Sequence, residues 1–250
     1  MSFVREISSE LNKVIAELKK ALSMESLDVL IAQSEVRDLG GTKVVVKRFT
    51  SEIGLLKWLP PAILLRASYP FALTPRERFK REKRFMEYSG WQSFRLPKIY
   101  SVDEEELVVV REFIDGLPLK CDRLDDVVIL GRVLAEIHSK GFSMGDVKPT
   151  NFLVSSGVPY VIDAEQSTPF KYELGSWDIA VAAFFIALAN YVEVSKFREL
   201  FEEFSKAYLQ FGGSEESYCE LLSPRNAVVI TFMPLPNTFV LYEVQKSYCS

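Results

Sequence analysis

The run Gly145-Asp146-Val147-Lys148-Pro149-Thr150-Asn151, taken with the segments on either side of it, constrains this chain more than any other stretch. Before it lies a helix-patterned segment with Leu130, Val133, Leu134 and Ile137 on one face, ending at Ser139-Lys140-Gly141. After it come two short apolar runs, Phe152 to Val154 and Pro159 to Ile162, separated by Ser155-Ser156-Gly157. That pattern reads as a turn-rich loop leading into a two-stranded hairpin. A hairpin brings the outer ends of its strands together, so Asn151 and Asp163 are expected side by side. An amide oxygen and a carboxylate in such a place suit Mg²⁺, which takes few protein oxygens and fills its shell with phosphate and water. Asp146 can accept a proton or orient a hydroxyl there. Lys148 offers a compact positive charge where negative charge develops.

Composition narrows the chemistry. His138 is the sole histidine, which removes most histidine-based metal and nucleophile schemes. Cys121, Cys219 and Cys249 are odd in number and lack CxxC spacing, so neither a disulfide framework nor a zinc site is expected, and a reducing interior is. The net charge of −4 argues against a protein built mainly to hold nucleic acid. The first residues are too polar for a secretory signal, and the apolar run from Asp178 falls short of the roughly 20 residues of a spanning helix. It reads as a core helix, and the expected location is cytoplasmic.

At 250 residues the chain is long enough for two lobes. Ile7, Leu11, Val14, Leu18 and Leu22 mark an amphipathic helix over 5–22, then two strands meet at Gly40-Gly41. Thr74, Pro75 and Glu77 give a capping box, and the helix they open places Phe79, Glu82 and Met86 on one face. A hairpin with the acidic tip Asp103 to Glu106 comes next. The Gly- and Pro-bearing segment 115–121 is the expected lobe boundary, between 1–114 and 115–250. The last forty residues look apolar but irregular, and no role is assigned to 211–250.

Asp146-Val147-Lys148-Pro149-Thr150-Asn151, with Asp163-Ala164-Glu165 downstream, resembles the H-R-D-x-K-P-x-N loop and D-F-G triplet of the protein-kinase-like superfamily. "VVVKRF" resembles the strand with the phosphate-binding lysine, and "VVVREFIDG" the hinge that binds adenine. The resemblance spans about 27–190 and implies a two-lobed α+β protein-kinase-like fold using ATP with Mg²⁺ or Mn²⁺. It implies Asp146 as catalytic base, Lys148 as a γ-phosphate contact, and Asn151 and Asp163 as metal ligands. It implies Lys47, paired with Glu82, on the α/β-phosphates, adenine contacts at Glu112, Phe113 and Ile114, and Asp178 bracing the loop.

The chain departs from the regulated kinases. No glycine precedes Gly40, so the GxGxxG loop is missing; Gly145 replaces the arginine of H-R-D, and Ala164 the phenylalanine of D-F-G. Only 14 residues separate Asp163 from Asp178, too few for a full activation segment. These features resemble small atypical kinases of the RIO type and their archaeal relatives. Lysine two residues after the base resembles the serine/threonine protein kinases, so a protein substrate is expected. The alternatives are a small-molecule kinase on the same fold or a pseudokinase scaffold. "RERFKREKR" (76–84) holds six basic residues and reads as a solvated helix face, with RNA or an acidic partner as the alternative. The apolar stretch 53–73 reads as packing over the N-terminal lobe, with membrane contact as the alternative.

Overall fold

The computed structural model describes residues 34–50 and 67–249. The expected helix over 5–22 and most of 53–73 lie outside the described residues. Strand β1 (Ser34–Leu39) turns at Gly40-Gly41 into β2 (Thr42–Arg48), and both glycines have positive φ, as a tight two-residue hairpin requires. β2 pairs with β4 (Val108–Glu112), and β4 with β3 (Ile99–Asp103), giving an antiparallel sheet in the order β1-β2-β4-β3.

Helix α1 (Pro75–Glu87) starts as its sequence demands, with Thr74 Oγ1 accepting the Glu77 N–H at 3.2 Å and Pro75 in the first turn. Lys47 pairs with Val109 across β2 and β4, so the two share a face of the sheet. Phe49, Phe79 and Val109 form a small apolar cluster, the two rings edge to face at 5.5 Å.

Beyond β5 (Leu117–Pro118) the chain is mainly helical: α2 (Leu124–Ser139), α3 (Tyr172–Ala189), α4 (Val194–Gln210), α5 (Glu215–Cys219), α6 (Ala227–Thr231) and α7 (Leu235–Tyr248). The hairpin β7 (Phe152–Ser155) and β8 (Val158–Val161) joins β5 in a three-stranded sheet, and β6 (Phe142–Ser143) pairs with β9 (Thr168–Pro169). α3 is apolar nearly all round because it is a core helix, with Ile179, Ala180, Ala182, Ala183, Ile186 and Ala187 inaccessible. Phe197, Phe201, Phe204 and Tyr208 of α4 stack in one row at 5.8, 6.0 and 6.3 Å. Gly131 lets α2 lie against them, since a Cβ there would stand 2.6 Å from the Phe204 carbonyl oxygen.

Two expectations are corrected here. The C-terminal forty residues are helical, not irregular: Pro236 sits in the first turn of α7, where proline starts a helix and does not break it. Cys219 and Cys249 form a disulfide with Cα atoms 5.6 Å apart, because α7 folds back to bring its end to α5. The odd cysteine is Cys121, buried and unreactive, its thiol pushed up to about 12 by burial and then by Asp122 and Asp126.

Candidate active site

Lys47 is a charged residue in an interior position. Its side chain is 2% exposed, and its ammonium donates to Glu82 Oε2 and, at 3.0 Å, to Asp163 Oδ1. Glu165 Oε2 lies 3.4 Å away. Burial works against the ammonium's charge, but Asp163, Glu82 and Glu165 together outweigh it and hold Lys47 protonated well above its ordinary range. Glu82, on the inner face of α1, is wholly buried; burial pushes its carboxyl upward, and Lys47 opposes that shift. Arg111 of β4 stands 3.7 Å from the other oxygen of Glu82 and donates to the Ile162 carbonyl. Oxygens of Glu82, Asp163 and Glu165 all lie within 4.8 Å of one another, and the Lys47 ammonium bonds or pairs with all three residues.

The loop 144–151 is held differently. Asp178, fully buried on α3, accepts the N–H groups of Met144 and Gly145 at 2.6 and 2.7 Å. It also bonds His138 Nε2 at 3.0 Å, while His138 Nδ1 meets the Tyr208 hydroxyl at 2.8 Å. Trp177 Nε1 donates to the Gly145 carbonyl at 3.0 Å. His138 thus ties α2 to the brace under the loop. Gly145 has φ +74°, and a Cβ there would lie 2.4 Å from the ring of Tyr69. The Tyr69 hydroxyl donates toward the Gln166 and Ser143 carbonyls at 2.9 and 3.3 Å. An aromatic ring therefore fills space beside the position that corresponds to the arginine of the H-R-D motif.

Asp146 and Lys148 face each other at 2.9 Å at the edge of the site, 13% and 33% exposed. Asn151 closes a single 3₁₀ turn, its Nδ2 donating to the Asp146 carbonyl at 2.8 Å. Its own carbonyl accepts the Ile162 N–H at 2.9 Å, and Phe152 faces Val161 in the hairpin, so Asn151 and Asp163 do flank adjacent strand ends. Asp163, 22% exposed, also accepts the Glu165 N–H at 3.2 Å. A carboxylate and an amide oxygen, both hard donors, form a donor set that fits a magnesium-like ion.

Glu112, Phe113 and Ile114 lie at and just past the end of β4. The Glu112 N–H is already given to the Lys98 carbonyl at 2.8 Å and its carboxylate accepts the Lys98 N–H, while Lys43 lies over the Phe113 ring at 5.6 Å and Ile114 is buried. The basic run 76–84 is not one solvated face. Arg78 is fully buried, one turn before Glu82 on the same side of α1; its Nη1 lies 3.4 Å from Glu165 and its Nη2 3.1 Å from the Phe49 carbonyl. Arg81 pairs with Glu77, and Lys83 with Glu104 and Glu87.

Sequence reasoning missed the parts of Arg78, Glu165 and Gln166. The Gln166 amide accepts the Ala72 N–H at 2.7 Å and donates to the Ala72 carbonyl at 3.2 Å, sewing the turn after Asp163 to the approach to α1. The signal that could have found them was Glu165 standing where the D-F-G triplet ends in glycine.

No known protein-family pattern matches the chain. It is 24% identical over 156 residues to "KEOPS complex subunit Bud32" of Pyrococcus abyssi, covering 56% of this chain and 67% of that protein. It is 31% identical over 123 residues to "Probable serine/threonine-protein kinase BUD32 homolog" of Archaeoglobus fulgidus, covering 48% and 61%.

Proposed function

We propose that this atypical protein-kinase-like chain of two-lobed α+β fold is an ATP-dependent protein kinase that phosphorylates serine or threonine hydroxyls. The observation that carries this reading is the convergence of Lys47, Glu82 and Asp163, far apart in sequence, into one ion-pair cluster beside the Asp146 loop. Under it, Lys47, oriented by Glu82, contacts the α/β-phosphates. Asp146 orients the acceptor hydroxyl and takes its proton as the new O–P bond forms and the bridging β–γ P–O bond breaks, releasing ADP. Lys148 offsets charge on the transferred group. A bound Mg²⁺ or Mn²⁺, held by Asn151 and Asp163, would neutralise phosphate charge. Phe113 and Ile114 cover the adenine side. The lobes divide at about 114/115.

The Pyrococcus relative's name describes a complex subunit, and this supports a protein partner for the present chain as well. The test is transfer of γ-labelled phosphate from ATP, with Mg²⁺ and with Mn²⁺, to the protein itself and to generic protein acceptors. Label should appear on protein and fall by roughly 10²–10⁴ in Asp146→Asn, and it should vanish in Asp163→Ala. Label on small hydroxyl compounds alone would replace the protein acceptor. A folded protein that binds no ATP would instead make the chain a scaffold.

A further inference from the structure

Glu165 is a carboxylate that the Lys47–Glu82–Asp163 arrangement does not require. Its side chain is 1% exposed, and its Oε2 stands 3.4 Å from Lys47 Nζ and 3.4 Å from Arg78 Nη1. One oxygen is therefore shared evenly between two buried cations. Lys47 has to reach a nucleotide, whereas Arg78 is turned back onto the Phe49 carbonyl in the seam between α1 and β2. Among the described residues, Lys47, Arg78 and Arg111 stand against Glu82, Asp163 and Glu165, all buried except the partly exposed Asp163.

The backbone around Glu165 is fastened on its C-terminal side. Gln166 is bonded both ways to Ala72, and Ser167 Oγ donates to the Arg81 carbonyl at 3.2 Å. Glu165 thus stays within reach of both cations and is divided between them. In a dry site such charges act strongly over a few ångströms. Phosphates approaching Lys47 compete with Glu165 for its ammonium, and the pull of Arg78 on Glu165 weakens that competition.

Resting on the reading of Lys47 as the phosphate-contacting lysine, we infer that Glu165 and Arg78 are positioning residues that set nucleotide affinity in opposite senses. Glu165 holds the Lys47 ammonium back in the carboxylate cluster, and Arg78 draws Glu165 away from it.

The experiment is titration calorimetry of the full chain with Mg·ATP on the wild type, Glu165→Gln, Arg78→Met and the double variant. Melting curves identify any variant that does not fold. Glu165→Gln should bind ATP roughly tenfold tighter and Arg78→Met roughly tenfold weaker, with the double variant within about threefold of Glu165→Gln, because Arg78 acts through Glu165. If a single variant does not fold, Glu165→Asp or Arg78→Lys takes its place, with a smaller shift of the same sign expected. A pair that only ties α1 to the turn would move both affinities in the same direction, or neither, and that result overturns the inference while leaving the kinase reading intact. A folded wild type that binds no ATP overturns the kinase reading and this inference with it.

Discussion

The two sides of the candidate site are supported by unlike forces. Around Lys47, three cations and three carboxylates meet, all buried except the partly exposed Asp163, and ion pairs link them. Around Asp146, the loop is held by backbone amides on one carboxylate, Asp178, and by close packing of Met144, Val147, Trp177 and Tyr69. Buried ion pairs are a weak source of net stability, because desolvation consumes most of their attraction. On the proposed reading of Lys47 as the phosphate-contacting lysine, what the cluster offers is a cation that changes partners when a phosphate arrives. Charge-assisted bonds from backbone amides, with a glycine that admits no side chain, hold the loop in one place. One side of the site is built to respond and the other to stay.

The sharpest way to break this comparison is to remove the anchor of the fixed side. Asp178→Ala strands two buried N–H groups and His138 Nε2, and should cost about 3–5 kcal/mol of stability, read from urea unfolding. Asp146→Asn, at the partly exposed edge, should all but abolish transfer while shifting stability by less than about 1 kcal/mol. If Asp178→Ala unfolds no more easily than Asp146→Asn, the loop does not depend on its brace. Next in size is Gly145→Ala. The positive φ and the Tyr69 ring at 2.4 Å from the added Cβ should together cost about 2–3 kcal/mol. Tyr69→Ala is itself costly, since the ring is buried, so the test is the cost of Gly145→Ala within the Tyr69→Ala background: it should shrink to the backbone part, and an unchanged cost would mean that the ring is not what reserves this position for glycine.

Features set by neighbours in sequence were the more legible ones. The cap at Thr74-Pro75, the hairpin at Gly40-Gly41 and the meeting of Asn151 with Asp163 all come from local rules, because turns and hairpins bring together residues close in sequence. Lys47 with Glu82 was legible through helical periodicity joined to family resemblance. The responsive side hid in residues whose type points the other way. Arg78 stands in a run of basic residues that reads as solvated, and only its position one turn before Glu82 marks it as internal. Glu165 is an ordinary charge until Arg78 and Lys47 are seen beside it. The Cys219–Cys249 bond was equally hidden, since its partners are 30 residues apart and meet only after α7 packs back on α5.

The smallest expected effect sharpens the responsive side. Burial lowers the Lys47 pKa, but the pull of Asp163, Glu82 and Glu165 leaves it raised above 10.5. A raised lysine contributes stability that is fully present below its unfolded value, about 10.4, and is lost only as pH climbs through the higher folded value. Glu82 is raised too, by burial first, so its own contribution is present below its unfolded value and is lost as pH rises through the folded one. It therefore gives no acid-induced loss. Between pH 7 and 10 the Lys47 contribution should then be flat. The stability difference between wild type and Lys47→Met, taken from urea midpoints at pH 7, 8.5 and 10, should stay constant to within about 0.5 kcal/mol. A difference that shrinks steadily across that window would mean that Lys47 gives up its proton inside the fold. The carboxylates would then not be holding it charged, and the contrast between the two sides of the site would collapse to one of packing.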